Sequence, residues 1–378
     1  MHSGQLLDDA AAATGLDDFG EPSFRDGLEV LVEALNNEAQ LNAIGGPAAE
    51  ALVAGALVNR LKVTDYWNRH PELASQKIAA PLFIVGVSRS GTTALNQLLS
   101  VDPANRSLLS WEASNPVPPP EADTYHNDPR LLAALEAEAD NMLHLLNPGF
   151  KAMHHDPPDM PIECVTVMAH DFVSLQYNAM FNIESYTDWI LARDHTDTYR
   201  YHQRVLQLLQ SGVPGRWQLK TPHHGLAVET IAEIYPDARF IWTHRDPATC
   251  IASTASITAS LSGTFSDADW AAFEGTQWTR VLTEMIERTT AARAVLGDHR
   301  FIDVDYRQLV SDPVGAVRGI FRDLGEPVDS ALEASLAAHA SEHRQHKHGP
   351  HSYTFEDFGL DRDALNERFS TYRSTYDL

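Results

Sequence analysis

Between positions 82 and 93 the chain reads Leu-Phe-Ile-Val-Gly-Val-Ser-Arg-Ser-Gly-Thr-Thr. A buried strand is expected from the apolar run Leu82–Val85, and a helical pattern opens at Thr92 and Thr93 through Leu95, Leu98 and Leu99. Gly86 and Gly91 frame the loop between them. Backbone N–H groups in such a loop, with the positive end of a helix behind them, cradle a phosphate. The glycine spacing is that of a phosphate-binding loop, but Thr92 stands where the lysine of that loop belongs. The positive charge sits inside the loop instead, at Arg89. A cradle for a 5′-phosphate without the lysine that reaches a γ-phosphate points to a donor other than ATP.

Further chemistry-bearing residues follow at distant positions. Arg245 ends an apolar strand-like run, precedes Asp246-Pro247 and a helical pattern, and has Ser253 eight residues beyond it. A guanidinium offers a fixed fork of N–H groups to phosphate, and a serine hydroxyl completes such a shell. Pairing of Arg245 with Asp246 at a helix start is the plainer alternative. Lys220 ends another strand-like run and begins Lys-Thr-Pro-His-His, which places His223 and His224 beside it. Glu112 follows the first helix, His154 and His155 share a Pro/Asp loop, and His343, His346, His348 and His351 cluster near the C-terminus. That last cluster fits a closing loop better than a zinc site, since no cysteine lies near it. Tyr177, Tyr186 and Trp189 suit core packing more than a pocket lining.

The elements that would position these groups alternate. Strands are expected at 82–87, 216–219, 239–243 and 300–304. Helices are expected near 92–100, 129–146, 161–173, 198–210, 226–235, 247–261, 267–296 and 313–324. Pro116–Pro120 is a stiff extended loop. This alternation predicts an α/β fold with a central parallel β-sheet flanked by helices. Residues 1–78 read as a helical N-terminal extension packed on the core, and 79–378 as one globular α/β unit. Ligands in such sheets lie at the C-terminal ends of the strands, where Arg89, Lys220, Arg245 and Tyr306 all fall.

Composition narrows the partners. The 378 residues carry 28 Lys and Arg against 52 Asp and Glu, a formal charge of −24. A nucleic-acid or anionic-membrane partner wants a basic face, so neither is expected. Any anionic ligand must be gripped by a local basic pocket. Two cysteines are too few for a disulfide framework and suit reduced thiols. No apolar run approaches the about 18 residues that span a bilayer, and no leader pattern opens the chain. The expectation is a cytoplasmic protein. Homo-oligomerisation is left open.

Taken together, the motifs resemble the sulfotransferases that use 3′-phosphoadenosine 5′-phosphosulfate (PAPS). The resemblance spans nearly the whole chain and includes similarity to a bacterial branch at Leu-Asp-Asp-Phe-Gly20 and Phe-Gly-Leu360. It implies the P-loop-NTPase-like sulfotransferase fold, with PAPS as donor and adenosine 3′,5′-bisphosphate (PAP) as product. Arg89, Ser90, Gly91, Thr92 and Thr93 match the 5′-phosphosulfate loop. Arg245 and Ser253 match the 3′-phosphate element, Tyr306 the residue that approaches adenine, and Lys347, His348 and Gly349 a C-terminal loop closing over the 3′-phosphate. Lys220 matches the lysine at the bridging oxygen. For the base, the resemblance offers Glu112, placed like the glutamate of tyrosylprotein sulfotransferases, or His223, one residue later than the histidine of cytosolic sulfotransferases. His154 and His155 stand behind them. No metal is implied. The acceptor would be a hydroxyl or amine of a small molecule, lipid or carbohydrate. A P-loop kinase or NTPase, with Asp303 and Asp305 as its only Mg²⁺ candidates, and a non-catalytic nucleotide-binding module are the alternatives.

Overall fold

The computed structural model describes residues 1–153, 157–342 and 353–378. At its centre is a parallel sheet of five strands: β1 (Leu82–Val85), β2 (Asn105–Ser107), β3 (Arg216–Lys220), β4 (Arg239–His244) and β5 (Phe301–Asp305). Their order is β2-β3-β1-β4-β5, so the chain leaves β1 toward one edge and later crosses to the other. That reversal opens a crevice beyond the carboxyl ends of β1 and β4, the place where doubly wound sheets take ligands. Leu82 pairs with Gln218 on one side and Arg239 on the other, which sets the register of the three central strands. All four residues of β1 are buried, as a strand covered on both faces requires.

Helices cover each face. On one side, Leu95, Leu98 and Leu99 of α4 (Thr92–Leu99) pack with Ile84, Ile241 and Ile302 of the sheet, and Val317, Ile320 and Phe321 of the Pro313–Leu324 helix complete that layer. On the other, Phe83, Val85 and Trp242 join a larger apolar cluster that reaches into the N-terminal helices.

Those helices are α1 (Ser3–Thr14), α2 (Phe24–Asn37) and α3 (Gly45–Arg69). Leu28, Leu31 and Leu35 of α2 and Val53, Leu57 and Leu61 of α3 recur at helical spacing and are buried in the same cluster as β1. A buried ion pair adds a polar tie. Arg60 donates to Asp171 Oδ1 at 2.9 Å, to the Phe19 carbonyl at 2.8 Å and to the Glu21 carbonyl at 2.9 Å.

Several boundaries differ from the sequence expectation. Strand β2 was not anticipated, because Asn105-Arg106-Ser107 carries no apolar run. The helix expected over 129–146 is two, Pro129–Ala137 and Met142–Leu146, since Asn141 Oδ1 accepts from the Leu143 and His144 N–H groups and caps a fresh start. The helix expected over 161–173 shrinks to Val165–Met168 and a tight turn to Asp171, and Phe172 then takes a left-handed φ of 55°. Tyr177 and Tyr186 are fully buried. Cys164 and Cys250 are buried and unbridged, and burial pushes both thiols up to about 12. No described helix is long and apolar enough to cross a membrane.

Candidate functional site

The loop after β1 carries three residues with positive φ: Gly86 at 139°, Arg89 at 68° and Gly91 at 92°. A Cβ on Gly86 would sit 2.2 Å from Thr243 Oγ1, so the tight crossing of β1 against β4 demands glycine there. A Cβ on Gly91 would meet the Tyr306 ring at 2.9 Å. Ser90, expected to contact a ligand, spends its hydroxyl within the loop. It lies 2.6 Å from the Val87 carbonyl and 2.7 Å from Thr243 Oγ1. It therefore fixes the loop's shape, and α4 begins directly behind with its positive end toward the crevice.

Two arginines from different strand ends meet over this loop. Arg89 Nε donates to Ser253 Oγ at 3.2 Å. Arg245 Nη1 donates to the Arg89 carbonyl at 2.6 Å, and its guanidinium lies 4.2 Å from the centre of the Tyr306 ring. The four residues Arg89, Arg245, Ser253 and Tyr306, spread over 218 positions of sequence, thus form one cluster. Burial, with the neighbouring charge of Arg245, pushes the Arg89 guanidinium below its ordinary range. Two neighbouring cations at the mouth of a cleft are relieved by an anion.

Lys220 ends β3 and is 2% exposed. Its Nζ donates to Thr93 Oγ1 at 3.1 Å and to Glu163 Oε1 at 2.6 Å. Glu163 was not singled out by the sequence reading. Its second oxygen accepts from Thr221 Oγ1 at 3.2 Å. The backbone explains the meeting: the Cys164 N–H donates to the Lys220 carbonyl at 3.0 Å, laying the 161–164 segment along the end of β3. No local spacing signals this, since the partners lie 57 residues apart.

Two cavities open on these groups and share Arg89, Thr92 and Thr93. The larger, about 680 Å³, is bounded by Gly91, Arg245, Tyr306 and Pro313. The smaller, about 390 Å³, is lined by polar residues that include Glu163, Thr221, His223, Asn141 and Gln176 and by apolar ones that include Phe150, Ile162, Met180, Ile257 and Trp278. Besides Arg89, its titratable walls among the described residues are Glu163, His144 and His223.

Glu112 is not with them, and here the sequence expectation is corrected. It is fully buried and bidentate with Arg106, at 2.8 and 2.7 Å. It also accepts from the Leu109 N–H at 3.0 Å and from the Tyr125 hydroxyl at 3.3 Å. Burial disfavours the Arg106 charge, but the Glu112 carboxylate more than offsets this and leaves that guanidinium raised. The carboxylate staples the edge strand β2 to the turn that follows it, and it lines neither cavity.

His223 does reach the cavity wall, but it is fully buried and burial drives its pKa well down. Its Nδ1 accepts from the Leu175 N–H at 3.4 Å and its Nε2 faces His195 Nδ1 at 3.1 Å. Both ring nitrogens are engaged, so this imidazole is poorly placed to take a substrate proton. His224 is also buried, with Nδ1 2.7 Å from the Tyr199 hydroxyl.

The acidic residues at the end of β5 are committed elsewhere. Asp303 accepts from Arg293 at 2.6 and 2.9 Å and lies 2.9 Å from His244 Nε2, and Asp305 is bonded to Arg307. Among the described residues, no group of three or more His, Cys, Asp and Glu side chains gathers as a metal site. His154, His155, Lys347, His348, Gly349 and the His343–His351 cluster lie outside the described residues.

Comparison with known proteins agrees with this fold. Residues 81–330 match the Sulfotransferase family. Crystal structures share the architecture over nearly the whole chain. Sulfotransferase STF9 from Mycobacterium avium superimposes with a TM-score of 0.92 at 30% identity, covering 99% of this chain and 96% of that one. Sulfotransferase STF1 from Mycobacterium tuberculosis does so with a TM-score of 0.87 at 32% identity, covering 98% and 99%. The omega-hydroxy-beta-dihydromenaquinone-9 sulfotransferase Stf3 of Mycobacterium tuberculosis is 24% identical over 301 residues, 77% of this chain and 74% of that protein.

Proposed function

Because this chain belongs to the sulfotransferase family, we propose that it moves a sulfuryl group from PAPS to the hydroxyl of an apolar acceptor by in-line displacement. The observation that carries the reading is that Arg89 and Arg245 meet at the ends of β1 and β4, with Arg89 on both cavities, while Lys220 at the end of β3 reaches Thr93, which also lines both. In an otherwise acidic chain, this is where an anionic nucleotide finds countercharge.

The larger cavity takes the nucleotide. Arg245 and Ser253 hold its 3′-phosphate, the Tyr306 ring stands beside the adenine, and the loop Arg89–Thr93 holds the 5′-phosphosulfate. The fit rests on two features: two neighbouring arginines joined through the Arg89 carbonyl, and glycines where a side chain would close the cradle. Lys220 stands under the junction. Charge builds on the bridging oxygen as the S–O bond breaks, and an ammonium there stabilises the transition state more than the ground state.

The smaller cavity takes the acceptor. Most of its exposed wall surface is apolar, with polar groups such as Asn141, Gln176 and Thr258 interspersed. This surface suits an apolar body with its hydroxyl turned toward Lys220 and Glu163. The relative named for a hydroxylated menaquinone is consistent with such an acceptor.

Two measurements test the reading. Calorimetry is expected to give tight PAP binding without Mg²⁺ and none of ATP. Labelled PAPS is expected to sulfate apolar alcohols in preference to sugars. Binding of ATP but not PAP would overturn it.

A further inference from the structure

We propose that Glu163 is the general base of the transfer, and that Lys220 occupies it until the donor arrives. This rests on the sulfuryl-transfer reading above and adds the proton's destination.

The acceptor proton needs a group at the junction of the cavities. Glu112 is locked to Arg106, and His223 has both nitrogens engaged. His144 also lines the cavity and lies 3.2 Å from the Glu138 carboxylate. Glu163 alone of these lines the acceptor cavity and touches the lysine of the leaving group. Its side chain is 24% exposed, against 2% for Lys220. The carboxylate is thus open to the cavity while the ammonium is behind it.

The two roles are coupled by geometry. Glu163 Oε1 is bonded to Lys220 and Oε2 to Thr221. An ammonium has three N–H donors, and those of Lys220 reach Thr93 and Glu163. The anionic phosphosulfate, held by the loop that carries Thr93, draws the ammonium to its bridging oxygen. Oε1 is then released toward the acceptor hydroxyl. In the transfer, the acceptor oxygen bonds to sulfur as its proton passes to Glu163. The bond from sulfur to the bridging oxygen breaks, and its electron pair leaves with PAP beside Lys220. Glu163 returns the proton to water after product release.

The test is Glu163→Gln, with Glu163→Asp as the conservative variant. Glu163→Gln is expected to bind PAP at least as tightly as the wild type, because Lys220 loses a competing partner. Its kcat with an alkyl alcohol should fall by roughly 10²–10⁴-fold, the usual worth of a positioned base. With 4-nitrophenol, whose hydroxyl is already acidic, the loss should be much smaller. Glu163→Asp should recover part of the alcohol rate. Wild-type kcat in Glu163→Gln, or equal losses with alcohol and phenol, would overturn the assignment. If the wild type itself transfers no sulfuryl group from PAPS, it is the preceding reading that fails.

Discussion

At the scale of single residues, the proposed roles separate binding from turnover. Arg245 presents a fork of donors and rests on the Tyr306 ring. Replacing it with alanine removes charge-assisted hydrogen bonds and should weaken PAP binding by roughly 10- to 100-fold. Lysine should not restore it, since a point charge neither forks nor stacks in the same way. Lys220→Ala should instead leave PAP affinity within a few-fold and lower kcat by roughly 10²–10³-fold, as loss of an electrostatic stabiliser does. Calorimetry beside steady-state rates separates the two, and normal turnover in Lys220→Ala would remove that residue from the mechanism. Glu112 belongs to stability. Glu112→Ala strands Arg106, whose side chain is 3% exposed, without its countercharge. Breaking such a buried pair costs about 3–5 kcal/mol, so denaturant unfolding should show a large drop in midpoint. An unchanged midpoint would mean that the pair is replaced by water or another partner.

At the scale of elements, the helices Pro247–Ser262 and Ala271–Leu296 are joined by a carboxylate with no cation beside it among the described residues. Glu274 is fully buried and accepts from Thr258 at 2.7 Å, Ser262 at 3.0 Å and Trp278 at 2.8 Å. The Asn182 amide, turned so that its nitrogen faces the carboxylate, adds a fourth donor at 2.9 Å. Burial nevertheless pushes this carboxyl up to about 7. A carboxyl raised on folding gives its full stability below the unfolded value near 4.5, and that stability is lost as pH rises through 7. The loss is about 3 kcal/mol. Glu274→Gln cannot titrate, so the wild type's advantage over it should be largest near pH 5 and narrow by pH 8. A gap in melting temperature independent of pH would show that the carboxyl stays ionised throughout. Thr258 and Trp278 also wall the smaller cavity, so this tie shapes that cavity.

The elements that sequence foretold were those with a strong local pattern: β1 with its glycine-framed loop, β4 leading to Arg245, and the long helices. What escaped had no local signal. Strand β2 is polar and short, and only the neighbouring β3 makes it a strand. Glu163 is one acid between apolar residues, and it becomes informative only when β3 brings Lys220 beside it. Glu112 shows the converse. Its position after the first helix suggested chemistry, but an arginine six residues earlier claims it.

At the scale of the whole molecule, the same burial that shapes the site sets an acid limit. His170, His195, His202, His223 and His224 are all buried, between the helix Thr196–Gln210, the turn at 169–171 and the turn Pro222–Leu226. Burial lowers each: His170 and His202 to about 3, His195 to about 4, and His223 and His224 well below the ordinary value of 6.5. Arg60 lowers His170 further, and neighbouring cations act on His195 in the same direction. These rings are neutral when folded and free to protonate when unfolded. A group depressed on folding gives stability above 6.5 that is lost as pH falls. Each ring contributes a slope of about 1.4 kcal/mol per pH unit, so five together approach about 7 kcal/mol per unit. That exceeds the opposing drift from Glu274, which is a single group. Since a domain's whole stability is about 5–15 kcal/mol, cooperative acid unfolding should set in near pH 5, with uptake of several protons. Circular dichroism across pH 7 to 4 measures the midpoint, and the steepness of the transition reports the proton count. A chain that stays folded at pH 4, or unfolds with uptake of one proton, would mean that these histidines have access to water or to partners that accept their charge.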